Sequence, residues 1–432
     1  MVTFSYRAFA RWLPRWGFLA LLSASTVQAQ MHDKHSVGSA PAALTLSQVQ
    51  HLATDEQPQL AAQAAQVRAF DARAVSASQL PDPQLMAGVQ DLPVNRQDAY
   101  SLRRDDFTMF TVGITQEFTR ASKLELRGEK QRLMARGAQD QLEELQRRIK
   151  REAGLAYLDL YLPEQAESLI SAMLVEAERS QKATEIAYRA GKNEQADVLA
   201  ADVSLSLLRD KQAEYEQMSE HARRLLARWI GDTAGAHADS KPPIFAEAPS
   251  LSAITASLLK HPALRAFESN RDVAQNEVAL SKQAYKPDWR MELGYGHRVD
   301  YADLVTLKVG IDLPVFTRNR QDSDAAAARA DAEQADAQRD DALREFTTQA
   351  SVAHHDWERV TERVKNFDNI VLPQARARVD AAMASYSAGR GTLAVVLDAR
   401  RSLLEVQLQR LTLAVDALRN RLNLEYFIGD AS

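Results

Sequence analysis

The sequence predicts a mainly α protein with a small β part: a tandem repeat of long antiparallel coiled-coil helices, with four strands contributed by each chain. Three observations carry that expectation. YRAGKNEQADVLAA, from Tyr188, and YSAGRGTLAVVLDA, from Tyr386, share one skeleton, with Tyr188 matching Tyr386, Gly191 matching Gly389, Ala196 Ala394, Val198 Val396 and Leu199 Leu397 at a single offset of 198. The offset persists where Ile230-Gly231-Asp232 matches Ile428-Gly429-Asp430, so the chain is a duplication. Two runs hold one proline each, from about Ala121 to Ile186 (Pro163) and from about Asn319 to Ser385 (Pro373). At about 67 residues each they would reach roughly 100 Å as helix, wider than any compact domain. Finally, four short segments alternate apolar and polar residues with the period of a strand.

Taken in order, residues 1–29 read as a secretory signal peptide: Arg7, Arg11 and Arg15, the apolar run from Trp16 to Ser25, then Val27-Gln28-Ala29. That run is too short to span a bilayer as a helix, and no later window is apolar enough to do so. Residues 30–42 read as a flexible N-terminal tail, in which Met31, His32 and His35 are a candidate copper trap or simply part of a tail. The first repeat covers 43–232, a proline-punctuated linker 233–250, and the second repeat 251–432. The formal charge of −5 becomes about −8 once a leader carrying three arginines is gone, which offers nucleic acid no footprint. Cysteine is absent, which excludes disulfides and a lipid-carrying Cys after the cut.

The strands are expected at about 83–91, 107–118, 288–296 and 304–313. Trp289, Met291, Leu293 and Tyr295 alternate with Arg290, Glu292 and Gly294; Val305, Leu307, Val309 and Ile311 alternate with Thr306, Lys308 and Gly310. About nine residues is the length with which a tilted strand crosses a bilayer. The ordinary alternative is a pair of soluble hairpins with one face on a core. No other strands exist for them to pack on, and four strands leave two raw edges and cannot close a barrel. Several chains must pool them, and three copies would give twelve, an even number in the range of outer-membrane barrels. The eight apolar residues named above are then the lipid-facing set, and the polar loops Asp91–Asp106 and His297–Asp303 lie beyond the membrane.

Past each glycine break the apolar pattern resumes in heptads: Leu404, Leu408, Leu411, Val415, Leu418 and Leu422 in the second half, and Leu208, Tyr215, Ala222, Leu225 and Trp229 in the first. Gly191, Gly389 and Gly391 therefore mark hairpin tips (about 188–197 and 386–395), where glycine accepts the left-handed conformation that ends a helix. Two amphipathic stretches, Ala43–Leu80 and Leu251–Tyr285, lead into the strand pairs with matching Gln57-Pro58-Gln59-Leu60 and His261-Pro262-Ala263-Leu264.

This order of elements, the two tips, the strand exits ITQEF (Ile114–Phe118) and IDLPVF (Ile311–Phe316), and the approaches at Pro81 and Lys286 together resemble the TolC family of outer-membrane efflux ducts, over nearly the whole mature chain. Within that family the segment from Asp91 to Phe118 is similar to the branch serving cobalt-zinc-cadmium and copper-silver pumps. The resemblance implies a homotrimer whose strands form one barrel in outer membrane lipid and whose helices form a periplasmic tunnel. It implies a periplasmic adaptor (membrane fusion) protein docking at the tips, around Tyr188, Gly191, Leu199, Gly389, Gly391 and Leu397, and an inner-membrane pump of the resistance-nodulation-division (RND) type. It further implies a periplasmic gate at Asp197 and Asp398, with Tyr386 holding the closed state. Two departures stand out: Val395 occupies the strict repeat equivalent of Asp197, and Gly391 stands where an arginine commonly partners the tyrosine. An acid near a threefold axis forms a ring that favours cations, whereas an acid beginning a helix also suits the helix dipole.

No catalytic constellation is legible. His354, His355 and Glu358 have a spacing that can seat zinc, but equally decorate a helix surface. Neither a nucleophile elbow nor a phosphate loop nor HExxH occurs. The expectation is a passive export duct for heavy-metal cations, without enzyme activity or cofactor. Its rivals are the same duct with drugs or other organic cargo, and a soluble periplasmic coiled-coil scaffold.

Overall fold

The computed structural model describes residues 43–55, 57–245 and 249–428. The expected signal peptide, the tail with Met31, His32 and His35, and the Gly429-Asp430 end of the repeat match lie outside the described residues. Helices α1 (Leu46–Thr54) and α2 (Pro58–Ala77) lead to strands β1 (Gln84–Gln90) and β2 (Met109–Phe118). Helix α3 (Ala121–Arg189) runs out to the first tip and α4 (Gln195–Ile230) returns. The second repeat follows the same order: α5 (Leu251–Leu258), α6 (Pro262–Gln283), β3 (Trp289–His297), β4 (Leu304–Ile311), α7 (Gln321–Asn366), α8 (Leu372–Ser387) and α9 (Leu393–Ile428).

The matching Gln-Pro and His-Pro motifs start α2 and α6. Pro58 and Pro262 occupy the first turn, where an N–H would have had no partner. Residue His261 caps its helix directly: its Nδ1 accepts from the Ala263 N–H at 3.3 Å, while Nε2 donates to the Tyr426 carbonyl at 2.9 Å. With 69 residues, α3 carries the buried Pro163 without a break. The second outgoing run is not uniform. A π turn at Phe367–Val371 separates α7 from α8, with the Leu372 N–H reaching back to the Phe367 carbonyl. The cause is Pro373, which lacks an N–H and crowds the carbonyl four residues back, so the helix takes in one extra residue just before it.

Three apolar clusters run along the helices. Ile149, Tyr157, Leu158, Leu226, Val415 and Leu422 centre the first, beside α1. Ile254, Leu258, Leu264, Ala350 and Phe427 form the second, and Ala166, Ile170, Leu205, Leu404 and Leu408 the third, nearer the tips. Each fully buried Leu or Ile contributes about 1.5–3 kcal/mol, so the clusters rather than helix propensity hold the hairpins. At Gly154 a Cβ would meet Leu422 Cδ1 at 3.0 Å and Leu46 Cδ1 at 3.3 Å, which explains glycine inside α3: it lets α9 and α1 close in. The second-half heptad is seated as read, with Leu404, Leu408, Val415 and Leu422 buried. The first-half seam is corrected. Leu225 is exposed, and the buried line runs Ala201, Leu205, Ser219, Ala222, Leu226 and Ile230, one residue round the helix at its upper end.

The expected linker also does more than connect. Ala234, Ala236 and Ala238 are buried in the first cluster, and Leu44 forms a parallel bridge with Ala238, flanked by hydrogen bonds of 2.8 Å from Leu44 N to His237 O and from Asp239 N to Leu44 O. Alanine's small side chain, which reads as linker composition, is what lets this segment lie flat on the helices. All four strands form one antiparallel sheet in the order β1-β2-β3-β4, so the repeats meet at the β2–β3 pair and β1 and β4 are its edges.

Candidate functional site

Strand register decides which side chains share a face, because directly opposed residues project to the same side. Leu85, Ile114, Leu293 and Leu307 form one row across all four strands, and Ala87, Val112, Tyr295 and Val305 the next. Nearer the helices, Met291 lies between Gln116 and Val309, and Trp289 between Phe118 and Ile311. All eight residues expected to face lipid are therefore on one side of the sheet, and all are exposed, from 37 % for Met291 to 72 % for Val305. Gln84, Thr115, Glu292 and Lys308 form a row on the opposite face, followed by Met86, Gly113, Gly294 and Thr306. Lys308 Nζ reaches Glu292 Oε1 at 3.2 Å on that side. One face is apolar and bare, the other small and polar. Aromatic rings mark both ends of the apolar band: Phe118 stacks on Trp289 at 4.3 Å at the helix end, and Tyr295 hydrogen-bonds Asp303 at the loop end.

Where the sheet joins the helices, Asp288 gathers the two repeats. Its Oδ1 accepts from the Arg120 N–H at 2.9 Å and its Oδ2 from Lys123 Nζ at 2.5 Å, with the pair largely shielded. Burial works to raise the Asp288 carboxyl, but the bonds from Lys123 and Arg120 outweigh it and hold the pKa below the ordinary value. Sequence reading missed this junction, although Pro287-Asp288 and Phe118-Thr119-Arg120 each recur in the other repeat.

The two tips close in the same way. Gly191 and Gly389 have φ of 71° and 69°. Lys192 N bonds Ala187 O and Gly191 N bonds Tyr188 O; Arg390 N bonds Ser385 O and Gly389 N bonds Tyr386 O, all at 2.9–3.0 Å. This is the paired bonding that ends a helix on a left-handed residue, reproduced at the repeat offset. Gly391 is a correction: its φ is not positive, and it is small because a Cβ there would lie 3.0 Å from Ser385 Oγ and 3.2 Å from Tyr386 N. Tyr188 and Leu199 are exposed on the first tip, whereas Leu397 is half-buried on the second.

Among the described residues, no hydrogen bond or ion pair joins the three expected gate residues to one another. The Asp197 carboxylate accepts from the Glu194 N–H at 3.3 Å in the first turn of α4, as a helix-start acid does. Asp398 pairs with Arg378 at 2.6 Å across the second hairpin, both side chains exposed. Tyr386 meets neither: its hydroxyl accepts from Asn193 Nδ2 at 3.1 Å. Asn193 is the repeat equivalent of Gly391, and nothing in the repeat pattern singled it out. As for metals, His354 Nδ1 lies 3.6 Å from Glu358 Oε2 and packs beside Trp357. Among the described residues no group of three or more His, Cys, Asp or Glu side chains converges on one point, and no helix is long and apolar enough to cross a membrane.

Comparison with known proteins agrees with this geometry. Residues 253–430 match the family model described as outer membrane efflux protein. The pyoverdine export outer membrane protein OpmQ of Pseudomonas putida is 27% identical over 184 residues, a match spanning 40% of this chain and 38% of that protein. Among solved structures, the outer-membrane channel OprN superposes with a TM-score of 0.75 at 20% identity, covering 89% of both chains. CusC does so with 0.75 at 15% identity, over 92% of this chain and 95% of its own. VceC of Vibrio cholerae gives 0.74 at 19% identity, over 89% and 96%. At such identities these likenesses concern the fold.

Proposed function

We propose that the chain is a member of the outer membrane efflux protein family, to whose model residues 253–430 match, and that it is the outer membrane duct of a tripartite efflux system. Three copies pool their four strands into one barrel, and their helical hairpins line a tunnel reaching toward a periplasmic adaptor and an inner-membrane pump of the RND type. The observation that carries this is the sheet: four strands with an apolar face exposed on every strand, a polar face opposite, and two unpaired edges. A soluble scaffold would leave that face in water at a cost of about 25 cal/mol for each Å², whereas lipid covers it without loss. The duct itself performs no chemistry. Asp197 and Asp398 with Tyr386 serve as its periplasmic gate, and the exposed tips take the adaptor.

The cargo we infer is heavy-metal cations, on the likeness of the segment Asp91–Phe118 to the metal-exporting branch. A second reading, organic cargo, is favoured by the relative named for pyoverdine export. Deleting the gene and measuring tolerance to zinc, cobalt, cadmium, copper and silver separates them. Lost tolerance to one or more metals supports the first; unchanged tolerance to all five with new sensitivity to organic toxins rejects it. Recovery of the protein in the soluble periplasmic fraction would reject the duct altogether.

A further inference from the structure

Inside the chain, the strand end of the boundary between the repeats is held by the β2–β3 pair and by the junction beneath it. Ile114 lies opposite Leu293 and Val112 opposite Tyr295, Phe118 stacks on Trp289, and Asp288 takes the Arg120 N–H and the Lys123 ammonium. Two parts of that junction occur a second time without their counterparts, although the Trp289 and Lys123 positions are repeated as Pro83 and Gln321. Phe118-Thr119-Arg120 recurs as Phe316-Thr317-Arg318, beyond the β4 edge, and Pro287-Asp288 recurs as Pro81-Asp82, before the β1 edge. The Phe316 ring is 85% exposed, and the side chains of Asp82 and Arg318 have no polar partner among the described residues. The two half-junctions sit at opposite edges of one sheet, so they cannot satisfy each other within a chain. A second copy placed head to tail brings them together, and the internal boundary is the template for how.

Resting on the barrel reading above, we propose that β4 of one copy pairs with β1 of the next in the register of the internal boundary, and that Asp82 of the next copy sits against Arg318 and Gln321 as Asp288 sits against Arg120 and Lys123. The register follows from the repeat. Val112-Gly113-Ile114 recurs as Val309-Gly310-Ile311, and an offset of 206 carries Asp288 to Asp82 and Gly294 to Gly88. Transferred, Ile311 lies opposite Ala87 of the next copy and Val309 opposite its Val89. The faces provide an independent check: this alignment sets the bare apolar sides of β1 and β4 together, whereas a slip of one residue would turn every apolar side chain of one strand against the polar face of the other. Below the strand the second repeat has one more residue, by Pro314, so the junction there follows a small bulge. The copy is also imperfect in chemistry. Gln321 stands at the place of Lys123, its Oε1 buried without a donor, so the seam between copies lacks an ammonium that the seam within the chain has. It is the weaker of the two.

Two measurements test this in full-length protein. The chain has no cysteine, so the double variant Val89→Cys with Val309→Cys carries the only thiols; oxidised in outer membranes, it should give covalently linked subunits that survive boiling in SDS, while Gln90→Cys with Val309→Cys should not. Efficient linking of the second pair, or of neither in a protein that still forms trimers, overturns the register. Secondly, Gln321→Lys should raise by several degrees the temperature at which trimers dissociate in SDS, Asp82→Asn should lower it, and the gain from Gln321→Lys should vanish in the presence of Asp82→Asn. An undiminished gain in the double variant overturns the contact. Failure of the barrel reading itself looks different: the unmodified protein would be monomeric in mild detergent.

Discussion

Asn193 Nδ2 donates to the Tyr386 hydroxyl at 3.1 Å, joining the first hairpin tip to the second. The two residues lie 193 positions apart, on tips whose backbones are otherwise copies of each other. The repeat equivalent of Asn193 is Gly391, which has no side chain to return the bond. The link is thus one-way: the first tip supplies the donor and the second the ring.

If Tyr386 restrains the closed duct, Asn193 is its restraint in this chain. One neutral hydrogen bond contributes about 1 kcal/mol, or roughly a fivefold shift in an opening equilibrium. Asn193→Ala and Tyr386→Phe should each raise the resting conductance of the purified protein in planar bilayers several-fold, and the double variant should add little to either alone. Equal conductance in all four proteins would remove the bond from the gate. Arg378–Asp398 makes a useful contrast, since both partners are exposed and such pairs contribute little to stability. Asp398→Asn should leave melting unchanged and lower the preference for cations over anions; unaltered selectivity would take Asp398 off the permeation path.

The exposed apolar face admits a sharper test than exposure alone. Leu293 and Glu292 are neighbours in β3 that project to opposite sides. Leu293→Arg sets a guanidinium toward lipid at mid-strand, where the cost is about 2–4 kcal/mol, whereas Thr306→Arg on the polar face meets water. The first variant should fail to accumulate in the outer membrane at normal yield and the second should accumulate normally. Equal yields would mean that the apolar face is covered by protein.

Much of this was legible in the chain because two periods dominate it. Alternation in β3 and β4 assigned all eight exposed apolar residues to one face, and the offset between Gly191 and Gly389 located both tips. What escaped was whatever depends on distant neighbours. Leu225 fits a heptad as well as Leu226 does, and only the packing of α4 on α3 tells them apart. Gly391 reads like Gly389, yet one avoids a clash and the other adopts a left-handed turn. The segment after Gly231 looks like a spacer because alanine carries no pattern, although Ala234, Ala236 and Ala238 are buried. Asn193 lies in a polar loop, where nothing local points to a tyrosine in the other half.

The left-handed glycines give a stability prediction. Gly191→Ala and Gly389→Ala have open space for the methyl group, so their cost is conformational, about 1–2 kcal/mol each. Gly391→Ala costs by crowding against backbone instead. Thermal unfolding followed by far-UV circular dichroism should show all three destabilised, with Gly191→Ala and Gly389→Ala alike because their turns are alike. A neutral Gly389→Ala would mean that the second tip is not built as described.

The last prediction concerns pH and His261, which is 1% exposed. Burial pushes its pKa down from 6.5 to about 4; Arg147 and Arg265 push the same way, and the bond to the Tyr426 carbonyl offsets only part of it. A base whose folded pKa is depressed is neutral in the folded state while the unfolded chain takes up a proton, so the unfolded state binds more protons between those two values. Stability should therefore be flat above about pH 7, fall as the pH drops from 6.5 toward 4, and lose on the order of 3 kcal/mol across the window. His261→Gln, which installs the residue that the first repeat carries at Gln57, should remove most of that slope whatever it does to stability at neutral pH. Urea unfolding of both proteins at pH 7, 5.5 and 4.5 measures it directly. Parallel pH dependences would show that acid weakens the fold elsewhere, and not at Asp140: burial raises its carboxyl, so the folded state takes up that proton before the unfolded chain does and acid favours folding there.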